Sequence, residues 1–169
     1  LSNLNDTGQT QFSDSVDFVA VQSSHPGQDG SYGRVALLIS GQLSKTGDGA
    51  AGFDFTKIDA DGNDLDKLAT SWSCVRDNVT GLLWENQTET ESNLRYTPTT
   101  ALTKVDTVNT GGLSGSVNWR LPERKELLSI VHYGLTVSGR SIDEDYFPYT
   151  APVSNYYWAS ERDTSNSEN

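Results

Sequence analysis

Two kinds of side chain in this sequence have the types and spacing to do chemistry. Tyr146, Phe147, Tyr149, Tyr156, Tyr157 and Trp158 fall within thirteen residues. Flat apolar rings with a polar edge suit both sugar stacking and protein interfaces, although about half of such a set ordinarily fills the core. Arg120, Arg124 and Lys125 form the one local basic excess, and Arg120 and Lys125 are the cations available to a carboxylate or sulphate. Carboxylates cluster in Asp59-Ala60-Asp61-Gly62-Asn63-Asp64 and in Asp143-Glu144-Asp145. Hard cations need clustered oxygens, so Asp59, Asp61, Asp143 and Asp145 are the metal candidates and calcium the cation they would take. An EF-hand is excluded: with Gly62 at the sixth position, Lys57 and Leu68 occupy the first and twelfth, where carboxylates belong. A polar hairpin turn at Asp59 and a solvated turn at Asp143 are the ordinary alternatives.

Catalytic motifs fail one by one. Lys45-Thr46-Gly47 resembles one box of the penicillin-binding enzymes, yet no Ser stands three residues before any Lys. The same lysine is no phosphate loop, because Ile39 and Ser44 take the two glycine positions. His25 and His132 belong to no zinc or triad spacing, and His132 is expected simply to close a helix. The chain is read as a non-enzyme that requires no cofactor.

The elements that must position these residues follow from periodicity. Val35 to Ile39 and Phe18 to Val21 read as strands, bounded by turns such as Pro26-Gly27-Gln28-Asp29-Gly30. Phe53 to Leu65 reads as a hairpin, and Cys74-Val75-Arg76 and Leu82-Leu83-Trp84-Glu85 flank a second turn at Asp77 to Gly81. Helical spacing marks Pro98 to Asn109 and, more clearly, Pro122 to Tyr133, with Pro in the first turn and Gly134 just past the end. On that second helix Arg124, Leu127, Leu128 and Val131 share the core-facing stripe. A guanidinium there needs a partner, for which Asp143, Glu144 or Asp145 is expected.

Bulk composition narrows the class. The chain has 169 residues and a net charge of −11; Ser, Thr, Asn and Gly together supply 63 of them, which favours turns and short strands over bundles. So acidic a chain lacks the basic face that nucleic acid requires, and no run approaches a membrane span. It begins at Leu1 and contains no Met, as a processed secreted protein or a partial chain would. Cys74, the single cysteine, is a buried thiol, one side of an intermolecular disulfide, or half of a pair whose other half is absent.

Three stretches together resemble a known family. Trp72-Ser73-Cys74-Val75-Arg76-Asp77 through Gly81-Leu82-Leu83-Trp84-Glu85, then Trp119-Arg120-Leu121-Pro122-Glu123-Arg124-Lys125-Glu126-Leu127-Leu128, then Ile142-Asp143, Tyr146-Phe147-Pro148 and Tyr157-Trp158-Ala159-Ser160 are similar to the Lcl C-terminal domain family, once called DUF1566. That family is named for the C-terminal domain of the Legionella collagen-like adhesin. Its signature falls here on Trp84, Trp119, Arg120, Leu121, Pro122 and Arg124. The resemblance implies a secreted or surface-exposed bacterial binding domain; in the named member it binds sulphated glycosaminoglycans, a property that transfers poorly to a −11 chain. Members often carry a cysteine where this chain has Ser114, and further strands past the Tyr157-Trp158 segment. The chain's 71–169 domain is therefore expected to lack its closing strands, behind a β-rich extension over 1–70. A looser likeness to the formylglycine-generating enzymes and the C-type-lectin-like fold makes Tyr156 to Ala159 a strand.

The sequence thus predicts an α+β, β-rich and loop-rich domain with two helices, C-type-lectin-like, preceded by a β-rich N-terminal extension. Its expected role is a secreted, cell-surface adhesion module that recognises a glycan or protein through Arg120, Lys125, Tyr146, Tyr149, Tyr156, Tyr157 and Trp158. The first alternative is a structural subunit of an extracellular assembly, a homo-oligomer or fibre neighbour, bridged through Cys74. The second is a formylglycine-generating-enzyme-like catalyst.

Overall fold

The computed structural model describes residues 5–9, 12–13, 18–19, 32–134, 141–150 and 156–161. The turn expected at Pro26–Gly30 and the tail from Ser165 lie outside these residues. The elements in chain order are β1 (Phe12–Ser13), β2 (Phe18–Val19), α1 (Gly33–Ile39), β3 (Phe55–Ile58), β4 (Cys74–Asp77), β5 (Leu83–Glu85), α2 (Glu89–Ser92), α3 (Pro98–Gly111) and α4 (Arg124–Ser129). The fold is α+β. Helical residues outnumber strand residues among those described, so the sheet is smaller than the composition leads one to expect.

The organising sheet is antiparallel, in the order β3-β4-β5. Phe55 pairs with Asp77 and Ile58 with Cys74 on one side of β4, and Cys74 with Glu85 and Arg76 with Leu83 on the other. The β4–β5 hairpin forms where expected because Asp77 builds its turn. One carboxylate oxygen of Asp77 accepts the Val79 N–H at 2.9 Å and the other the Thr80 hydroxyl at 2.6 Å. Gly81 supplies the positive φ of 78° that closes the turn. The expected division at residue 70 runs between β3 and β4, two hydrogen-bonded strands of this one sheet.

Beneath the sheet lie Phe53, Phe55, Val75, Ile130, Ile142, Tyr146 and Phe147, with Trp72 and Trp84 packed against them. Phe55 is central: its ring lies 5.5 Å from Phe53, 5.4 Å from Tyr146 and 5.5 Å from Phe147 by centroid. Each aromatic pair contributes roughly 0.5–1.5 kcal/mol beyond burial. One buried carboxylate beside this core is fully occupied: Asp54 accepts from Thr46 N at 2.9 Å, Gly47 N at 2.7 Å and Asn78 Nδ2 at 2.9 Å.

Three expectations about the elements themselves are corrected. Residues 35–39 form α1, not a strand. Asp6, far away in sequence, accepts the Val35 N–H at 2.9 Å and so satisfies one of the free donors of the first helical turn; Ala and Leu then propagate a helix readily. Second, α4 ends at Ser129 rather than Tyr133, so the stripe that put Arg124 inward never completes. Arg124 is exposed and makes no ion pair among the described residues, and its main-chain N–H donates to Glu161 Oε2 at 2.7 Å. Of its three expected partners Asp143, Glu144 and Asp145, Asp143 instead accepts from Ala50 N at 2.7 Å and Asp145 N at 3.1 Å, and none forms an ion pair with Arg124. Third, Tyr156 to Ala159 takes no strand pairing among the described residues. By contrast α3 runs Pro98–Gly111 as the spacing implies, with a Thr97/Thr100 capping box and Gly112 in the left-handed C-cap.

Beyond α4 the chain is pinned to its own beginning. His132 donates its main-chain N–H to Ser141 O at 2.8 Å, and Tyr133 N–H reaches Thr7 O at 2.8 Å. The His132 ring is buried against Phe53, and its Nδ1 accepts the Gly134 N–H at 3.1 Å. Gly8 packs on that ring with no room for a Cβ. His132 therefore does not close a helix; it seats the Asn5–Gln9 segment.

Cys74 is fully buried, and its sulfur lies 2.7 Å from the Ser114 hydroxyl, which donates its own proton to Asp59 O at 2.7 Å. Burial pushes the thiol up to about 11. Of the three alternatives for Cys74, a sulfur with no exposed surface and a protonated, weakly reactive thiol favour the buried thiol.

Two predictions follow from this packing. Ser114→Cys places a second sulfur against Cys74, and the oxidised variant should lose two hydrogens by intact mass. Chain entropy for a loop of this length gives about 4 kcal/mol of added stability; unchanged mass after oxidation would reject the juxtaposition. For His132, burial lowers the folded pKa, with Asp143 opposing. The unfolded chain thus binds a proton first as pH falls below about 6.5, and His132 contributes stability above that value that is lost on acidification. Asp143, whose pKa burial raises, works with the opposite sign. The measurement is therefore the difference in urea stability between pH 7.5 and 5.5 for wild type minus that for His132→Gln, expected to be positive.

Candidate functional site

β5 forms one edge of the sheet, and beside it opens a groove of about 1160 Å³. One wall is Leu83, Trp84 and Glu85. The second is α3, through Ala101, Val105 and Val108, and the third is the 118–122 segment with α4. Tyr149, Tyr156, Tyr157 and Trp158 complete the rim.

The aromatic rim is held by main-chain contacts rather than by strand pairing. Trp158 donates its indole N–H to Tyr96 O at 2.8 Å, and Ser160 N–H donates to Pro122 O at 2.8 Å. These two bonds bring a distant segment of chain to the start of α4 and to the loop before α3. Tyr156 is 97% exposed, and Tyr149, Tyr157 and Trp158 between 41% and 44%; rings this open are presented to solvent rather than packed. Trp119 is oriented by reciprocal bonds, its N–H donating to Asn109 Oδ1 at 2.6 Å and its carbonyl accepting from Asn109 Nδ2 at 2.9 Å. Trp84 has a buried indole nitrogen with no hydrogen-bond partner among the described residues.

Charge in the groove is arranged in compensated sets. Arg120 grips Glu126 with both terminal nitrogens, at 2.8 and 2.7 Å, the planar two-bond pairing that guanidinium and carboxylate favour. Hydrogen bonding from Arg120 holds the Glu126 carboxyl down at about 2. Glu126 also accepts the Glu123 N–H at 2.7 Å, so the same carboxylate caps α4 and aims Arg120. Lys104 bridges Glu85 at 2.9 Å and Glu91 at 2.6 Å, tying β5 to α2 and α3. Arg95 makes no ion pair among the described residues.

Of the residues expected to bind, Arg120, Tyr149, Tyr156, Tyr157 and Trp158 meet at this groove. Tyr146 does not: it is 4% exposed and belongs to the core, because its ring packs on Phe55. Lys125 does not line the groove either, and pairs on the surface with Glu123 at 2.8 Å. The signature residues Trp84, Trp119, Arg120, Leu121 and Pro122 line it, whereas Arg124 faces away into solvent. Sequence reasoning missed Tyr96, Arg95 and Lys104. Nothing in their local spacing marks them; Lys104 is placed by its ion pair with Glu85 of β5, and Tyr96 by the bond its carbonyl accepts from the Trp158 indole.

The carboxylate candidates are separated. Asp59 spends one oxygen on the N–H groups of Asp61 and Asn63, at 2.9 and 2.8 Å, and the other on the Asn63 amide at 3.0 Å. It is a hairpin turn. Asp143 is buried under its two main-chain donors while Asp61 and Asp145 are exposed, and no cluster of three or more His, Cys, Asp or Glu side chains suited to a metal occurs among the described residues. No helix of the described residues is long and apolar enough to cross a membrane.

The family model of the Lcl C-terminal domain matches residues 73–169. The chain belongs to the Lcl C-terminal domain family. No curated protein and no solved structure is similar enough to match. The matched span includes β4, β5, the three walls and the rim of the groove, and Cys74, while β3, which completes the sheet, lies ahead of it.

Because Glu126 is held low in the fold, it contributes stability above its unfolded value near 4.5 that is lost only as pH falls through about 2. A carboxyl-detected NMR titration should show its midpoint far below the other glutamates. Arg120→Ala should return it toward 4.5, and an unmoved midpoint would reject the Arg120 clamp.

Proposed function

We propose that this Lcl C-terminal domain is a binding module, secreted or displayed on a bacterial surface, that holds a glycan across its aromatic groove. The observation that supports this reading is the convergence of four exposed rings, Tyr149, Tyr156, Tyr157 and Trp158, with Arg120 on one groove of about 1160 Å³. Sugar rings present apolar C–H faces and hydroxyl edges. Exposed Tyr and Trp match the former by stacking, and the polar ends of Arg120 and Tyr match the latter. The ligand is read as neutral or sparsely charged. Arg120 already holds Glu126 through two bonds, and a chain of net charge −11 repels a polyanion at long range.

The reading is of recognition, without catalysis and without a required cofactor, and calcium enters it as a bridge between protein and ligand. It includes a C-type-lectin-like arrangement, in which α3 and α4 flank a small sheet and loops present the ligand. One observation favours a second reading, a structural subunit: the outer edge of β5 pairs with no strand among the described residues. Such an edge is a template for a neighbouring chain.

A glycan array probed with and without calcium tests the first reading. Trp158→Ala should weaken any hit about tenfold, ~1.4 kcal/mol, while Tyr146→Phe, a core change, should leave it intact. Array silence together with self-assembly in multi-angle light scattering would reject the glycan reading in favour of the subunit, and a stable monomer would reject the subunit.

A further inference from the structure

On the β3 side of the sheet, away from the groove, lies a second cavity of about 650 Å³, whose walls include Lys45, Asp48, Lys57, Asp64, Lys67 and Tyr146. Counting its charges separates two classes. Both carboxylates are neutralised: Lys67 Nζ contacts Asp48 at 2.9 Å, and Arg76 donates to both oxygens of Asp64 at 2.8 and 2.6 Å. The other two lysines hold only neutral groups. Lys45 Nζ donates to Gly49 O at 2.6 Å, and Lys57 Nζ donates to Ala69 O at 2.9 Å while resting 3.7 Å from the centre of the Trp72 ring. Neither makes an ion pair among the described residues.

An ammonium carries three donors. Lys45 has used one; Lys57 has used one on a carbonyl and turned its charge to an aromatic face. Lys57 is 6% exposed and Tyr146 4%, and the Lys57 ammonium lies 5.5 Å from the centre of the Tyr146 ring. Burial lowers the pKa of both lysines, as expected where a cation loses water without gaining a counter-ion. More distant carboxylates oppose that trend: Asp48, Asp54 and Asp143 for Lys45, and Asp143, Asp145 and Asp66 for Lys57. Of these, Asp48, Asp54 and Asp143 already accept bonds elsewhere.

We propose that this cavity is a second ligand site, independent of the aromatic groove, which takes a small carboxylate between the ammonium groups of Lys45 and Lys57, with the Tyr146 hydroxyl donating to it. The bound group supplies the counter-charge that these two lysines lack. A monoanion is specified by the rest of the molecule: every additional negative charge on the ligand meets the repulsion of a −11 chain, and the third lysine lining the cavity, Lys67, is already committed to Asp48.

The test is a titration of the full 169-residue chain followed by 1H–15N NMR, with sodium acetate as the probe and sodium chloride at matched ionic strength as the reference. Saturable shifts at Thr46, Lys57 and Tyr146, absent with chloride, are expected. Lys45→Gln alters a half-buried surface lysine and should weaken acetate binding tenfold or more with the remaining spectrum unchanged. Lys57→Met should do the same, and Lys45→Gln alone decides if that variant does not fold. Shifts that are linear, equal to those with chloride, or centred on Arg120 would overturn the proposal, as would tighter binding of sodium sulfate than of acetate. None of these outcomes depends on whether the groove binds a glycan.

Discussion

Phe55 is the point on which the structure depends. Its backbone belongs to β3, paired with Asp77 of β4, and its ring touches Phe53, Tyr146 and Phe147. One residue therefore joins the sheet to the segment that follows α4. Burying a phenylalanine is worth roughly 1.5–3 kcal/mol, and the ring contacts add to it. The consequence reaches the groove. Tyr146 and Phe147 are drawn inward onto Phe55, which leaves Tyr149 a turn further on the outside. The aromatic run is divided into core and rim by that packing.

The two edges of the sheet carry opposite chemistry. Beside β5 the ions are closed into compensated sets, Arg120 with Glu126 and Lys104 with Glu85 and Glu91, and the rings are exposed. Beside β3 the rings are buried and two lysines are left holding neutral oxygens. An acidic chain can keep such cations locally unpaired because its carboxylates are spent on structure. Asp54, Asp77 and Asp143 are all buried and all accept main-chain N–H groups. These carboxylates organise loops, which is how a chain poor in regular structure satisfies its backbone.

The N-terminal residues illustrate the same economy of long-range bonds. Asp6 completes the first turn of α1, and Thr7 and Gly8 lie against Tyr133 and His132. Through these contacts and the β3–β4 pairing, Thr7, Gly8 and β3 pack on residues of the matched family span. Ser114 on Cys74 is a further link of this kind, joining the end of α3 to the sheet without a covalent bond.

Short-range physics was legible in the sequence. The β4–β5 hairpin was readable because Asp77, Thr80 and Gly81 carry their own turn chemistry, α3 because Pro98, Thr97 and Gly112 mark its ends, and the family because its motifs are contiguous. What required the tertiary structure was every property set by a partner distant in the chain. Residues 35–39 became a helix through Asp6, Arg124 turned outward when α4 stopped at Ser129, and Tyr146 left the ligand face for Phe55. Propensity and spacing describe a residue and its near neighbours. Which face is buried, and which lysine lacks a counter-ion, are decided by contacts that exist only after the chain has folded.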